Sequence, residues 1–223
     1  MKKINKNIIL VTGILLFLIS YKFDSQINSF FKNIKLPIFD AVLGIVTNFG
    51  VVILISIIVP SIILYTRENQ RFSVRENLEK FSAHKIKNFV VPRNFKKISR
   101  GKNKKIVYLL WSTFILSFVL AFITKLIVLR QRPTEAFTYP LINIINYSFP
   151  SMHSMVVFSL LPLLIKYMPK QKSFWIIFAF SVAFSRIYFG LHFLSDVVFG
   201  ALTGYFLGKF LLKMHEEKRA WFK

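Results

Sequence analysis

Three long stretches of the chain carry no charged residue and are rich in aliphatic and aromatic side chains. They lie between Lys6 and Lys22, at residues 41–66 and at residues 106–124. A hydrocarbon layer about 30 Å thick needs about 20 apolar residues in a helix, so the second and third predict membrane-spanning helices directly. The first is shorter and could also be the apolar core of a signal peptide. No small-residue cleavage site follows it, which favours an uncleaved span.

The second half of the chain contains three shorter apolar segments, at residues 154–165, 173–185 and 197–208. Each reaches spanning length only if ionisable residues lie at its ends. Such residues are costly in a membrane and usually either reach the interface or serve a function. The pattern therefore predicts an all-α, polytopic membrane bundle of six transmembrane helices, formed as a single domain over residues 1–223. A soluble helical core would leave too little polar surface for so apolar a chain.

Composition narrows the class of protein. Hydrophobic residues make up 54% of the chain and there is no cysteine, which excludes a disordered chain and a disulfide-stapled module. The net charge of +22 is compatible with a nucleic-acid partner or an anionic membrane surface. The mean hydropathy of +0.53 favours the membrane. No nucleic-acid-binding module is recognisable, so no nucleic-acid partner is expected.

The positions of the basic residues predict the orientation. Of the 31 basic residues, 24 lie before the first span, in the 66–105 loop, around residues 166–172 and after residue 208, which six spans place on one side. The positive-inside rule makes that side cytoplasmic, with both termini, in a multi-pass plasma-membrane protein. The basic loop at about 66–105 spaces Val74, Leu78 and Phe81 as on one helix face, which predicts contact with anionic lipids of the inner leaflet.

Three polar clusters fall on the opposite, extracytoplasmic side. Lys125 and Arg132 close the third span, seven residues apart, so a continuous helix would place them on one face about 10 Å apart. Ser151, Met152 and His153 open the fourth span. Arg186, His192 and Asp196 connect the fifth and sixth spans, and Gly190 predicts a break that turns Arg186 inward. His192 and Asp196 have the i, i+4 spacing that lets a carboxylate hold an imidazole.

These residue types suit phosphoryl transfer. Two guanidinium groups and an ammonium match the oxygens of a phosphate and oppose its developing charge. Of two histidines, one can attack phosphorus and the other can protonate the leaving alcohol. No metal-ligand set and no cofactor motif is apparent, so we expect metal-free hydrolysis. Arg130 has no place in the pattern and is interpreted as a solvent or headgroup contact.

The pattern K-x6-RP, then PS-x-H, then SR-x5-H-x3-D resembles that of the type 2 phosphatidic acid phosphatase family, which shares its fold with vanadium haloperoxidases. The resemblance implies a phosphohistidine on His192, oriented by Asp196, and His153 as acid and then base. It also implies a phosphate site formed by Lys125, Arg132 and Arg186, with Ser151 and the backbone at Met152. The family usually has glycine in place of Met152, which puts substrate shape or rate in question.

The function expected from these observations is hydrolysis of a lipid phosphate monoester or pyrophosphate. Candidate substrates are polyprenyl diphosphate, phosphatidate and phosphatidylglycerophosphate, all of which present phosphate at headgroup level. Two alternatives remain open: a phosphotransferase that uses the same site, and an inactive protein that binds lipid phosphates.

Overall fold

The computed structural model describes residues 6–34, 36–85, 102–134 and 146–221, and within these ranges the regular elements are all helical. The prediction of an all-α protein is thereby confirmed for the part of the chain described. The helices are α1 (Lys6–Lys22), α2 (Asp24–Asn33), α3 (Pro37–Thr47), α4 (Phe49–Ile53), α5 (Val59–Lys85), α6 (Lys102–Val128), α7 (Met152–Tyr167), α8 (Lys172–Tyr188) and α9 (Leu194–Trp221). A π-helical turn, Leu54–Ile58, joins α4 to α5, and a 3-10 turn, Pro169–Gln171, precedes α8.

Three helical stretches are long and apolar enough to cross a membrane, namely Phe49–Gln70, Asn103–Val128 and Leu194–Glu217. The chain is therefore a multi-pass membrane protein. The first, fourth and fifth predicted spans also form helices, α1, α7 and α8, which have 17, 16 and 17 residues. At 1.5 Å per residue each is about 25 Å long, slightly less than the hydrocarbon thickness.

The predicted second span is wrong at its start. Residues 41–47 belong to α3, and the chain is extended at Asn48, with φ −65° and ψ 124°. The Asn48 side chain accepts a hydrogen bond from the Gly50 N–H and so caps the next helix. Apolar composition alone does not predict the break at Asn48, because the sequences on both sides of it are equally hydrophobic.

The structure describes the two ends of the basic loop predicted at about 66–105. Helix α5 continues to Lys85 and α6 begins at Lys102, so only residues 86–101 separate them, and these lie outside the described residues. The predicted amphipathic segment is the distal part of α5 rather than a separate helix. Its contact with anionic lipid stays a prediction.

Helix α7 forms the centre of the bundle and packs against α4, α6, α8 and α9. Its residues are buried without interruption from Ser154 to Leu164. A helix that is apolar on all sides and buried on all sides belongs in the interior of a bundle. Helix α1, in contrast, leaves Val11, Ile14 and Leu18 about half exposed, as expected of side chains that face lipid.

Helices α7 and α9 approach each other closely along a row of three glycines. A Cβ atom added to Gly200, Gly204 or Gly208 would lie 2.7, 2.2 or 1.9 Å from a backbone oxygen of α7 or its N-cap residue. Small residues at this spacing let two membrane helices bring their backbones together. The row fixes α9 against the helix that opens with Ser151 and His153.

Candidate active site

The predicted site residues meet at a cleft of about 620 Å³. Six of the eight line it directly: Lys125, Arg132, Met152, His153, Arg186 and His192. The other two, Ser151 and Asp196, are fully buried beside it. The rest of the lining comes from Gly44, Thr47, Asn48, Phe49, Phe118 and Leu191, so the wall is apolar apart from the cations, the imidazoles and the α3–α4 junction.

Lys125 and Arg132 are held by one short segment, but not through a shared helix face. Helix α6 ends at Val128, and Leu129 adopts a left-handed conformation with φ 51°, so the predicted continuous helix is wrong. The Lys125 ammonium donates a hydrogen bond to the Tyr147 carbonyl at 2.5 Å. The Arg132 guanidinium donates one to the Asn146 carbonyl at 2.9 Å. Both cations are thus anchored to the chain that leads into α7.

The start of α7 supplies the third part of the site. Ser151 is the N-cap residue, and its backbone N–H donates to the Asp196 carbonyl at 3.1 Å, which joins this segment to α9. The His153 ring packs edge-on against Phe49, with centroids 4.9 Å apart. Its Nε2 atom is buried and has no hydrogen-bond partner among the described residues. That nitrogen is available to a bound molecule.

Met152 is the first residue of α7 and lines the cleft. Among the described non-glycine residues only Leu129 has a positive φ, so the backbone at Met152 does not need glycine's conformational freedom. What the methionine changes at this position is the bulk of the side chain in the cleft.

Arg186 reaches the cleft from the end of α8. Its side chain is buried and donates hydrogen bonds to the hydroxyl and carbonyl of Thr47. Helix α8 ends at Tyr188, and Gly190 has φ +64°, which confirms the break predicted there. Thr47 was not predicted, because the sequence gives no sign that α3 ends beside the site.

His192 lies in the turn between α8 and α9, and α9 begins at Leu194, so His192 and Asp196 do not share a helix despite their i, i+4 spacing. Its Nδ1 atom is 3.7 Å from Asp196 Oδ2, close but beyond hydrogen-bonding distance. The same Asp196 oxygen accepts the Phe193 N–H at 2.9 Å. Asp196 therefore lies beside the imidazole while holding the turn that carries it.

The environment of His192 favours the neutral imidazole. Burial lowers the pKa of His192 well below its ordinary value, and the positive charges of Lys125, Arg186 and Arg132 lower it further. A neutral imidazole has a free lone pair at neutral pH, which a nucleophile requires. The cleft combines that lone pair with three cations suited to an anion.

The sequence interpretation of Arg130 as a solvent or headgroup contact does not include its main protein partners. Its side chain is 22% exposed, and its guanidinium bridges Asp24 and Asp196 at 2.8 and 2.7 Å. Asp24 is buried at the start of α2 and was not predicted either. No motif marks Arg130 or Asp24. The sequence signal for Arg130 is only that it lies two residues before Arg132, which the motif does include.

A family model described as the PAP2 superfamily matches residues 105–220, more than half of the 223 residues. The chain belongs to the PAP2 superfamily. The resemblance noted from three short motifs is thereby confirmed. All eight predicted site residues fall inside the match, whereas Asp24 and Thr47 fall outside it.

Two curated proteins resemble parts of this PAP2 chain. The bacitracin transport permease protein BcrC of Bacillus licheniformis is 42% identical over 60 residues, which cover 27% of this chain and 30% of that protein. Phosphatidylglycerophosphatase B of Bacillus subtilis (strain 168) is 38% identical over 100 residues, covering 40% of this chain and 47% of that protein. Each match thus spans less than half of the relative's length.

A solved structure shares the fold over nearly the whole chain. It is the crystal structure of a transmembrane PAP2-type phosphatidylglycerolphosphate phosphatase from Bacillus subtilis, with a TM-score of 0.61 and 21% sequence identity. The similarity covers 93% of this chain and 96% of that one. Helices α1 to α5, which precede the family match, therefore belong to the same fold.

The charged groups at this PAP2 site are of the kind that suits an anion. Among the residues that the structure describes, no three histidine, aspartate or glutamate side chains come together as metal ligands. The charged and titratable groups that line the cleft are cations and imidazoles, residue types that can bind and transfer anionic groups.

Proposed function

We propose that this PAP2 protein is a membrane phosphatase that hydrolyses a phosphate monoester or pyrophosphate of a lipid. The observation that carries the proposal is the buried imidazole of His192, whose pKa is lowered in a cleft shared with Lys125, Arg132 and Arg186. Three cations can hold a phosphate while a neutral nitrogen attacks it. Without the cations the negative charge of the phosphate would not be balanced in the cleft. Without the neutral nitrogen of His192 no covalent step is possible.

In the proposed reaction His192 Nε2 attacks phosphorus, because Nδ1 faces Asp196. The bond from phosphorus to the lipid oxygen breaks, and His153 gives its proton to that oxygen. A water molecule, losing a proton to His153, then attacks the phosphohistidine. Inorganic phosphate leaves and both histidines return to their starting states. Lys125, Arg132, Arg186 and Ser151 with the backbone at Met152 are proposed to hold the phosphate throughout.

The lining of the cleft supports a lipid rather than a water-soluble ester. Apolar side chains such as Phe49, Phe118 and Leu191 share the wall with the cations, so an acyl or prenyl chain would lie against carbon next to the bound phosphate. The similarity to a protein named phosphatidylglycerophosphatase B supports phosphatidylglycerophosphate as one candidate. Phosphatidate and polyprenyl diphosphate present the same group to the cleft and are proposed with it.

The proposed orientation follows from charge. Six crossings, formed by α1, α4–α5, α6, α7, α8 and α9, would place 24 of 31 basic residues and both termini on the cytoplasmic side of the plasma membrane. The cleft would then face outward, at the level of the outer headgroups. The basic loop at about 66–105 would lie against the anionic inner leaflet.

The test is phosphate release by the purified protein in detergent, with chelator present, from phosphatidylglycerophosphate, phosphatidate and a polyprenyl diphosphate. We expect release from at least one lipid, its loss in His192→Ala, and a fall of at least about 100-fold in His153→Ala. His215→Ala is the matched control, because His215 lies about 30 Å along α9 from the start of that helix. No release by the wild-type protein would instead support a protein that only binds lipid phosphates.

A further inference from the structure

Arg130 is the centre of a partly buried polar network, separate from the residues proposed to hold the phosphate. One guanidinium nitrogen donates to Asp196 Oδ1 at 2.7 Å and to the Ser195 hydroxyl at 2.8 Å. The other donates to Asp24 Oδ2 at 2.8 Å. The guanidinium also lies over the Phe193 ring, 4.0 Å from its centroid. Arg130 is thus fixed on three sides beside the His192–Asp196 pair.

Asp24 completes the network from the other end of the sequence. Its Oδ1 accepts the Ser195 backbone N–H at 2.9 Å and its Oδ2 accepts the Ser195 hydroxyl. The carboxylate therefore satisfies a free N–H in the first turn of α9, where a negative charge is favourable. It ties the α1–α2 junction to the residue that precedes Asp196.

The charges explain why Arg130 would be needed between the carboxylates of Asp24 and Asp196. The Asp24 and Asp196 side chains are 6% and 0% exposed, and one guanidinium lies between them. A buried carboxylate without its cation is strongly unfavourable, so removing Arg130 would leave two such groups facing each other. Asp196 would then have to move or lose its charge, and the imidazole turn that it holds through Phe193 would move with it.

Arg130 also connects this pair to the phosphate-holding side of the cleft. Its carbonyl accepts the Ser148 N–H at 2.7 Å. Ser148 directly follows Asn146 and Tyr147, whose carbonyls receive Arg132 and Lys125. One residue therefore sets the position of the segment that anchors the cations and of the carboxylate beside His192.

We propose that Arg130 and Asp24 are positioning residues, which act on the reaction through Asp196 by holding it beside His192. The proposal rests on the phosphatase function proposed above. Neither residue lines the cleft, so neither is expected to contact the substrate.

The test is a double-mutant cycle with phosphate release as readout. Arg130→Gln should lower kcat at least about tenfold while KM changes less than about twofold, because the site loses geometry and not a phosphate contact. Arg130→Lys should recover part of the loss, since it keeps the charge but cannot bridge both carboxylates. Asp24→Asn should lower kcat less than Arg130→Gln. In a protein that already carries Asp196→Asn, the added Arg130→Gln change should lower kcat by a further factor of less than about two.

Lys22→Gln is the matched control, because Lys22 is an exposed cation two residues from Asp24. It should behave as wild type. An Arg130→Gln protein with wild-type kcat would overturn the proposal. So would an Arg130→Gln change that lowers kcat equally in the wild-type protein and in the Asp196→Asn protein. Absence of phosphate release from wild-type protein would instead overturn the phosphatase function, and this proposal with it.

Discussion

At the scale of single residues, the proposed reaction depends on keeping His192 uncharged among cations. Burial disfavours the imidazolium, and Lys125, Arg132 and Arg186 add repulsion. The same three charges attract the phosphate that the imidazole is proposed to attack. The bound phosphate would offset the repulsion among these positive charges. It would do so at the step in which His153 is proposed to give its proton to the leaving oxygen.

This environment gives a prediction about pH. Because the pKa of His192 is lowered, its neutral form persists below the ordinary histidine pKa of about 6.5. The fall of kcat/KM on the acid side should therefore have its midpoint below pH about 6.5. The measurement is kcat/KM from pH 4.5 to 8 on two substrates, a phosphate monoester and a diphosphate.

The two substrates serve as each other's control, because the phosphate groups themselves ionise in this range. A common midpoint assigns the acid limb to the protein. A midpoint at or above about 6.5 with both substrates would contradict a depressed histidine pKa.

The residues with local sequence signals could be predicted, and those defined by distant contacts could not. Lys125, His153, Arg186 and His192 line the cleft as the sequence predicts, because their spacing from proline, serine and aspartate neighbours is itself a pattern. Thr47 meets Arg186 across 139 residues of chain, and Asp24 meets Ser195 across 171. No spacing within one segment predicts a contact of that kind.

At the scale of helices, the α7–α9 contact determines the site. Ser151 caps one helix and His153 lies in its first turn, and Asp196 lies in the first turn of the other. The glycines of α9 let the two backbones approach until the Ser151 N–H reaches the Asp196 carbonyl. The separation of the two helices is therefore part of the active-site geometry.

Gly204→Ala should destabilise this contact. Its Cβ atom would lie 2.2 Å from the Met155 carbonyl oxygen, a backbone atom of a buried helix that has no room to shift. Overpacking of this kind costs about 1–3 kcal/mol. We expect a lower Tm in detergent, measured by loss of helical circular dichroism, and reduced phosphate release.

The matched control is Gly13→Ala in α1, where the added Cβ would meet Leu202 at 3.6 Å, an ordinary contact. Its Tm should equal or exceed that of the wild type, since alanine favours a helix over glycine. Equal stability of the two variants would show that the α7–α9 approach is not tight.

Helix existence could be predicted from hydrophobicity, but helix ends could not. Apolar stretches indicated α1, α6 and α7, whereas the breaks at Asn48 and Leu129 fall inside or beside equally apolar sequence. Leucine has no intrinsic preference for a positive φ. Leu129 precedes Arg130, whose partners Asp24 and Asp196 lie far away in the chain, so the local sequence does not contain these contacts.

At the scale of the whole molecule, the uneven charge predicts which side the cleft faces. The chain has no cysteine, so single cysteines can be labelled without background. Lys32→Cys, in α2, should react with a membrane-impermeant maleimide on intact cells. Lys213→Cys, near the end of α9, should react only after the membrane is permeabilised.

Both positions are exposed, so a difference in labelling reports on the side of the membrane and not on burial. Labelling of Lys213→Cys alone on intact cells would contradict the proposed orientation. Labelling of both cysteines on intact cells would contradict the number of crossings.

The glycine row on α9 also bears on how a lipid can be exchanged. Helices joined backbone to backbone behave as one rigid unit, so the walls formed by α7 and the start of α9 should not open. The opposite wall is different: at Gly44 in α3 an added Cβ would meet no atom within 4 Å, and α3 is separated from α4 by the extended Asn48. Substrate arrival and product departure are therefore expected on the α3 side, where the helix is interrupted at Asn48.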